Sequence, residues 1–247
     1  MRVSCRARCW LFFLHMSRTV FISSFLWLLY VALEPFVRRR WPGWIISWSR
    51  LLAGDYRDPL VGRDILLGAV ISAGTILVQI LSYVAPRWIG RPSPFAVSPG
   101  NTEIAHLFFL RFAAQLYVAL FFSFIALLLL LLFVAVLRRE RIAVVALWLL
   151  MTLLLALVSR GSVMMIPFLG LGAFLVVFAL KRYGLLALIS TLFFYALGVF
   201  FPMTTELTAW YATDFTIALV IGIALAVYGC YTSLGGQPLF GGKLLQD

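Results

Sequence analysis

Long apolar runs broken by short charged turns set the pattern of this chain. About 20 predominantly apolar residues cross the ~30 Å of bilayer hydrocarbon as a helix. Seven stretches approach that length: residues 19–37, 65–85, 106–137, 142–158, 163–180, 185–201 and 215–234. The third would reach about 48 Å at 1.5 Å per residue, so it tilts or projects beyond the bilayer. The pattern predicts an all-α polytopic transmembrane bundle of about seven spans, or six if the first inserts poorly. It divides into a basic N-terminal segment (1–18), a transmembrane domain (19–234) containing a cytoplasmic hairpin (38–64), and a Gly-rich tail (235–247).

Composition agrees with the pattern. Apolar residues make up 64% of the 247 and charged residues 12%, against about 45–50% and ~25% in a soluble domain. The net charge of +11 does not indicate nucleic acid, because the arginines gather at span ends instead of along one soluble face. Lys and Arg on alternate turns number twelve on one side (residues 38–64, 138–141, 181–184 and the tail) and three on the other. The positive-inside bias therefore puts the first set in the cytoplasm. Arg2, Arg6, Arg8 and Arg18 run against it, as expected of a re-entrant or interfacial piece or, the preferred expectation, of a truncated start.

The densest charge lies in the hairpin. Pro35 is expected to end or bend the first span, with Arg38, Arg39 and Arg40 following at headgroup level. From residue 44 to 52, Trp44, Ile45, Trp48, Leu51 and Leu52 share one helical face, while Ser47, Ser49 and Arg50 fall mainly on the other. This predicts a short amphipathic helix in the interface, with Trp41, Trp44 and Trp48 at headgroup depth. Arg50, Arg57 and Arg63 continue the basic set, interleaved with Asp55, Asp58 and Asp64. Asp58-Pro59 starts a turn, and Asp64 is placed to cap the next helix. The plain reading of this block is a solvated, salt-bridged hairpin. The functional one is a surface for anionic lipid head groups or a cytoplasmic protein partner.

Polar residues inside spans are costly and therefore candidates for function. Gln79 lies in the second span; Arg111 and Gln115 sit one turn apart in the third. Arg111 can snorkel to the headgroups, and Gln79 and Gln115 can bond across two helices. Gly68 with Ser72 and Ala73, Gly170 with Gly172, and Gly222 with Ala226 supply small residues for close helix packing.

Catalytic motifs are missing. The chain has no phosphate loop, zinc-protease, nucleophile-elbow or kinase signature. Its cysteines (Cys5, Cys9, Cys230) and histidines (His15, His106) lack metal-ligand spacing, so no cofactor is expected. The aspartates of the hairpin each have an arginine nearby, which favours plain ionised partners over acid–base work.

The run LLYVALEPFVRRRWPGWIISWSRLLAGDYRDPLVGRDILLG, residues 28–68, resembles the membrane region that follows the catalytic domain in bacterial serine/threonine protein kinases, notably acidobacterial ones. The resemblance is dense there and continues only as a multi-span pattern. It implies a bacterial inner-membrane location and an upstream cytoplasmic kinase domain, either as part of a longer chain or as a partner. No catalytic residue carries over, since no kinase motif is present. The expected function is a non-catalytic sensory or anchoring module, in contact with anionic lipid and open to self-association. The alternative is a small transporter or permease subunit using Gln79, Arg111 and Gln115; a lipid-acting enzyme using the hairpin aspartates is a third.

Overall fold

The computed structural model describes residues 5–88, 90, 108–159, 163–200 and 212–234. These residues form eight α-helices: α1 (Cys5–Arg40), α2 (Pro42–Leu52), α3 (Pro59–Trp88), α4 (Phe108–Leu137), α5 (Glu140–Ser159), α6 (Ile166–Tyr183), α7 (Leu185–Phe200) and α8 (Ala212–Ser233). One 3-10 turn, Val163–Met165, leads into α6. The protein is an all-α bundle. Six of its helices, α1, α3, α4, α5, α6 and α8, are long and apolar enough to cross a membrane, so it is a multi-pass membrane protein.

The sixth apolar run behaves differently. At 16 residues, α7 reaches about 24 Å, short of the ~30 Å of hydrocarbon. A six-span count was expected to come from poor insertion of the first run; the short helix is instead the sixth. It is also the most enclosed one, with every residue from Leu185 to Thr191 buried. Its neighbours α3, α4 and α6 take up its sides, so its ends need not reach the headgroups.

Close packing around α7 and α3 rests on small residues. A Cβ built on Gly68 of α3 would lie 2.9 Å from the Thr191 nitrogen and 3.0 Å from the Ala187 carbonyl oxygen of α7, closer than real side chains come. Gly62 presses in the same way on Thr232 and Gly229 of α8. Without a hydrophobic drive between helices in lipid, such backbone approach is what builds an interface. The expected partner for this role on α8, Gly222, faces open space; Gly229 takes it. Gly170 meets Thr152 and Trp148 of α5, and the Trp148 indole donates to the Gly170 carbonyl at 2.8 Å.

Most buried hydroxyls bond back to their own helix, as Thr75 does to Ile71 (2.9 Å), Ser123 to Ala119 (2.7 Å) and Thr191 to Ala187 (2.7 Å). This removes the penalty of a bare hydroxyl in an apolar interior. The charged turns gather at one end of the bundle. There the Trp44 backbone abuts Gly184, Glu140 pairs with Lys181, and the Tyr228 hydroxyl donates to the Tyr56 carbonyl.

Candidate functional site at the basic end

Helix α1 does not stop at Pro35. The residue lies inside a helix that runs on to Arg40, and its three terminal arginines complement the negative helix C-terminus. All three are exposed. Arg38 pairs with Glu34 one turn back at 2.7 Å, an arrangement worth a few tenths of a kcal/mol, about 0.3–0.5. Arg40 lies over the Trp41 ring at 5.8 Å.

The short helix expected after this turn is present as α2, with Pro42 at its first positions. Its tryptophans face inward more than anticipated. Trp41 is only 9% exposed and belongs to the main core with Leu33, Val37 and Ile45. Trp44 stacks on it, centroids 4.4 Å apart and planes at 10°, and Trp48 meets Phe124 of α4 edge-on at 6.0 Å. Ser47, assigned to the polar face, is buried, whereas Leu52 is exposed. The helix packs against α1, α3 and α7, so its buried face is set by the bundle.

The seat for α2 is Gly184, the single residue between α6 and α7. Its φ of 98° and ψ of −163° form a conformation essentially reserved for glycine. A Cβ there would fall 2.8 Å from Trp44 Cα. The ammonium of Lys181, one turn earlier, lies 5.5 Å from the Trp44 ring centroid. The link between α6 and α7 is thereby tied mechanically to α2.

Beyond α2, Arg50 pairs with Asp58, while Asp58 Oδ1 accepts from the Leu60 amide at 2.8 Å. Asp58 therefore caps α3, with Pro59 at its first position. The cap was expected at Asp64, six residues later. Asp64 is instead inside α3 and only 1% exposed. Its Oδ1 accepts from Arg63 Nη2 at 3.0 Å and Nε at 3.2 Å, while Oδ2 is buried without a partner. Arg57 and Arg63 are both exposed.

The intramembrane polar residues do not form one group. Gln79 Oε1 accepts from the Tyr195 hydroxyl of α7 at 3.4 Å, a long and weak bond. Gln115 on α4 does not meet Gln79, because α7 packs against both α3 and α4; Gln115 Oε1 is buried without a partner. Arg111 belongs to α4, and its side chain lies outside the described residues, as do the tail from 235 and the turns at 91–107 and 201–211.

A second basic cluster lies at residues 138–141, which enter the sequence pattern only through the charge bias. The turn from α4 to α5 passes through Arg138 at φ 55°, a left-handed conformation costing a non-glycine residue about 1–2 kcal/mol. It presents Arg139 and Arg141 beside Lys181 at the end of α6. Together with Glu140 and Ile142 they line a groove of about 550 Å³. The usable signal was the charge bias itself, since all turns carrying it must meet at one end. A second groove, of about 320 Å³, lies between Arg38, Pro42, Ile45, Ile46, Ser49 and Arg50. Against known proteins, the chain matches no family model, no curated protein and no solved structure.

Proposed function

We propose that this chain is a non-catalytic anchoring and sensory module of a bacterial inner membrane, with its basic end in the cytoplasm as the surface offered to a partner. The observation that carries the reading is the seating of α2. Trp44 abuts Gly184 between α6 and α7, so a shift of those helices moves α2 and the exposed Arg38, Arg39, Arg40 and Arg57 around it. A rigid interfacial element coupled to a bundle can relay a change in either direction. The twelve-to-three charge bias and the kinase-like run over residues 28–68 support a cytoplasmic partner, a serine/threonine kinase domain being the first choice.

The transporter reading needs a polar passage between the helices of Gln79 and Gln115. Helix α7 packs against both, which counts against such a passage. The enzyme reading needs unpaired carboxylates converging on one pocket. Of the hairpin aspartates, Asp58 and Asp64 each pair with an arginine, and Asp55 is exposed on the turn with no ion pair among the described residues, which leaves only one of the three unpaired.

The test joins a bacterial serine/threonine kinase domain ahead of residue 1. Replacing Arg38, Arg39 and Arg40 together with Gln should change its autophosphorylation rate about fivefold or more, the usual lower range of a coupling between sites. Labelling of Arg57→Cys by an impermeant reagent reports topology in the same cells. An unchanged rate with unchanged topology would overturn the proposal.

A further inference from the structure

The groove at the α4–α5 turn does not depend on any reading of the partner. We propose that it binds the phosphate of an anionic phospholipid head group, held between Arg139 and Arg141 with Lys181 at its rim.

Three observations support the assignment. The first is unspent positive charge. Arg139 and Arg141 are exposed and have no ion-pair partner among the described residues. Lys181 is paired with Glu140, so the groove carries three cations against one carboxylate. The neighbouring groove is different: its two arginines, Arg38 and Arg50, are already taken by Glu34 and Asp58. Guanidinium groups match phosphate oxygens in a fork geometry that an ammonium lacks.

The second observation is size. A volume of about 550 Å³ falls among ordinary ligand sites, ~300–1,000 Å³, and has room for a head group beyond its phosphate. The third is what continues from it. Ile142 lines the groove, and Ile142, Val145 and Leu149 of α5 are all exposed. At i, i+3 and i+7 they form one stripe running from the basic end along the bundle. A soluble anion has no use for that stripe; an acyl chain does. Basic pockets between spans at the charged end of a membrane protein suit lipid phosphates in this way.

The experiment uses the whole chain in a mild neutral detergent, with bound lipid counted by native mass spectrometry. Phosphatidylglycerol should bind as a single tight adduct, and phosphatidylcholine should not. Each arginine near a phosphate contributes about fivefold in affinity. The double variant R139Q/R141Q should therefore weaken phosphatidylglycerol by about 25-fold, whereas R39Q/R57Q, equal in charge removed, should leave it nearly unchanged. E140Q should tighten binding by releasing Lys181, and it keeps the test decisive if the double arginine variant does not fold. Equal weakening by the two double variants would mean a diffuse basic belt and would overturn the site. So would equal binding of the two lipids, looser binding by E140Q, or displacement of the lipid by inorganic phosphate, which would mean a soluble-anion site.

Discussion

Helices α1 and α7 are both apolar, yet they stand at opposite extremes of the bundle. Helix α1 has 36 residues and leaves Phe13, Val20, Phe21, Trp27, Leu28, Val31 and Phe36 exposed. Its packing against the core runs down one side of its second half, with Leu33 and Val37 buried, Leu26 and Leu29 against them, Phe25 facing Phe121 and Tyr30 facing Phe124. Helix α7 has 16 residues and is buried without a break from Leu185 to Thr191. Helix α7 is the more apolar of the two, but that alone does not enclose it, because lipid accepts an apolar surface as readily as a protein interior does. What separates them is where their small and hydroxyl-bearing residues sit: Thr19, Ser23, Ser24 and Ala32 of α1 are exposed, whereas those of α7 lie at a helix contact. Ala187, Ser190 and Thr191 of α7 let the backbone of α3 come close at Gly68, and Thr191 satisfies its own hydroxyl within the helix. Most of the bulky aromatic and aliphatic side chains of α1 stay on its outer faces, and these favour lipid.

The sharpest way to break this contrast is to fill the α3–α7 contact. Gly68→Leu should cost about 3 kcal/mol or more, since the added volume meets backbone on α7 that cannot rotate away. The same residue at Gly222, which faces open space, should cost no more than about 0.5 kcal/mol. Equilibrium unfolding in mixed micelles compares the two, and equal losses would end the claim that α7 is held by close approach. Next in size is truncation. Leu188→Ala on α7, where the side chain is fully buried, should lose about 2 kcal/mol. The cavity term remains in a membrane while most of the transfer term does not. Leu28→Ala on α1, 66% exposed, should stay within about 0.5 kcal/mol.

The smallest expected effect extends the contrast of inside and outside to the charged end. Arg63→Gln strands the Asp64 carboxylate, which is buried with one oxygen already unpaired. A buried charge without its partner is costly, but Arg63 is itself half-exposed, so about 1–2 kcal/mol is expected. Arg57→Gln nearby should be close to neutral. If thermal midpoints in detergent fall equally for both, the Arg63–Asp64 pair does not hold the start of α3.

How far the sequence reached varies along the chain. Every apolar run of the pattern is a helix, because about 20 apolar residues in lipid satisfy their backbone polar groups only by coiling on themselves. The start of α3 was legible but misjudged. Asp58-Pro59 carried both a cap and a first-turn proline, the ordinary signal of a helix start, and the hairpin was instead extended to Asp64. The amphipathic pattern of α2 gave the helix but not its inward face: Trp41 and Ser47 are buried because α2 rests on α1 and α7. The link between Gly184 and Trp44 joins residues 140 positions apart, and the partner of Gln79 is Tyr195 on α7, not Gln115; no local pattern holds such information. The groove at Arg139 and Arg141 needs the α4–α5 turn and the end of α6 side by side, which the charge bias implied without specifying.

By itself, then, the sequence determined the class of the protein, its helices and the end at which its charge gathers. Each of these follows from solvation of single segments by water or lipid. Only the tertiary structure decided which apolar helix is enclosed, which tryptophans turn inward, which arginines are left without carboxylates and which aspartate is buried. Those depend on contacts between helices, and in a bilayer such contacts are selected by backbone approach and side-chain fit. Hydropathy written along the chain marks a helix as apolar without saying whether lipid or protein will cover it.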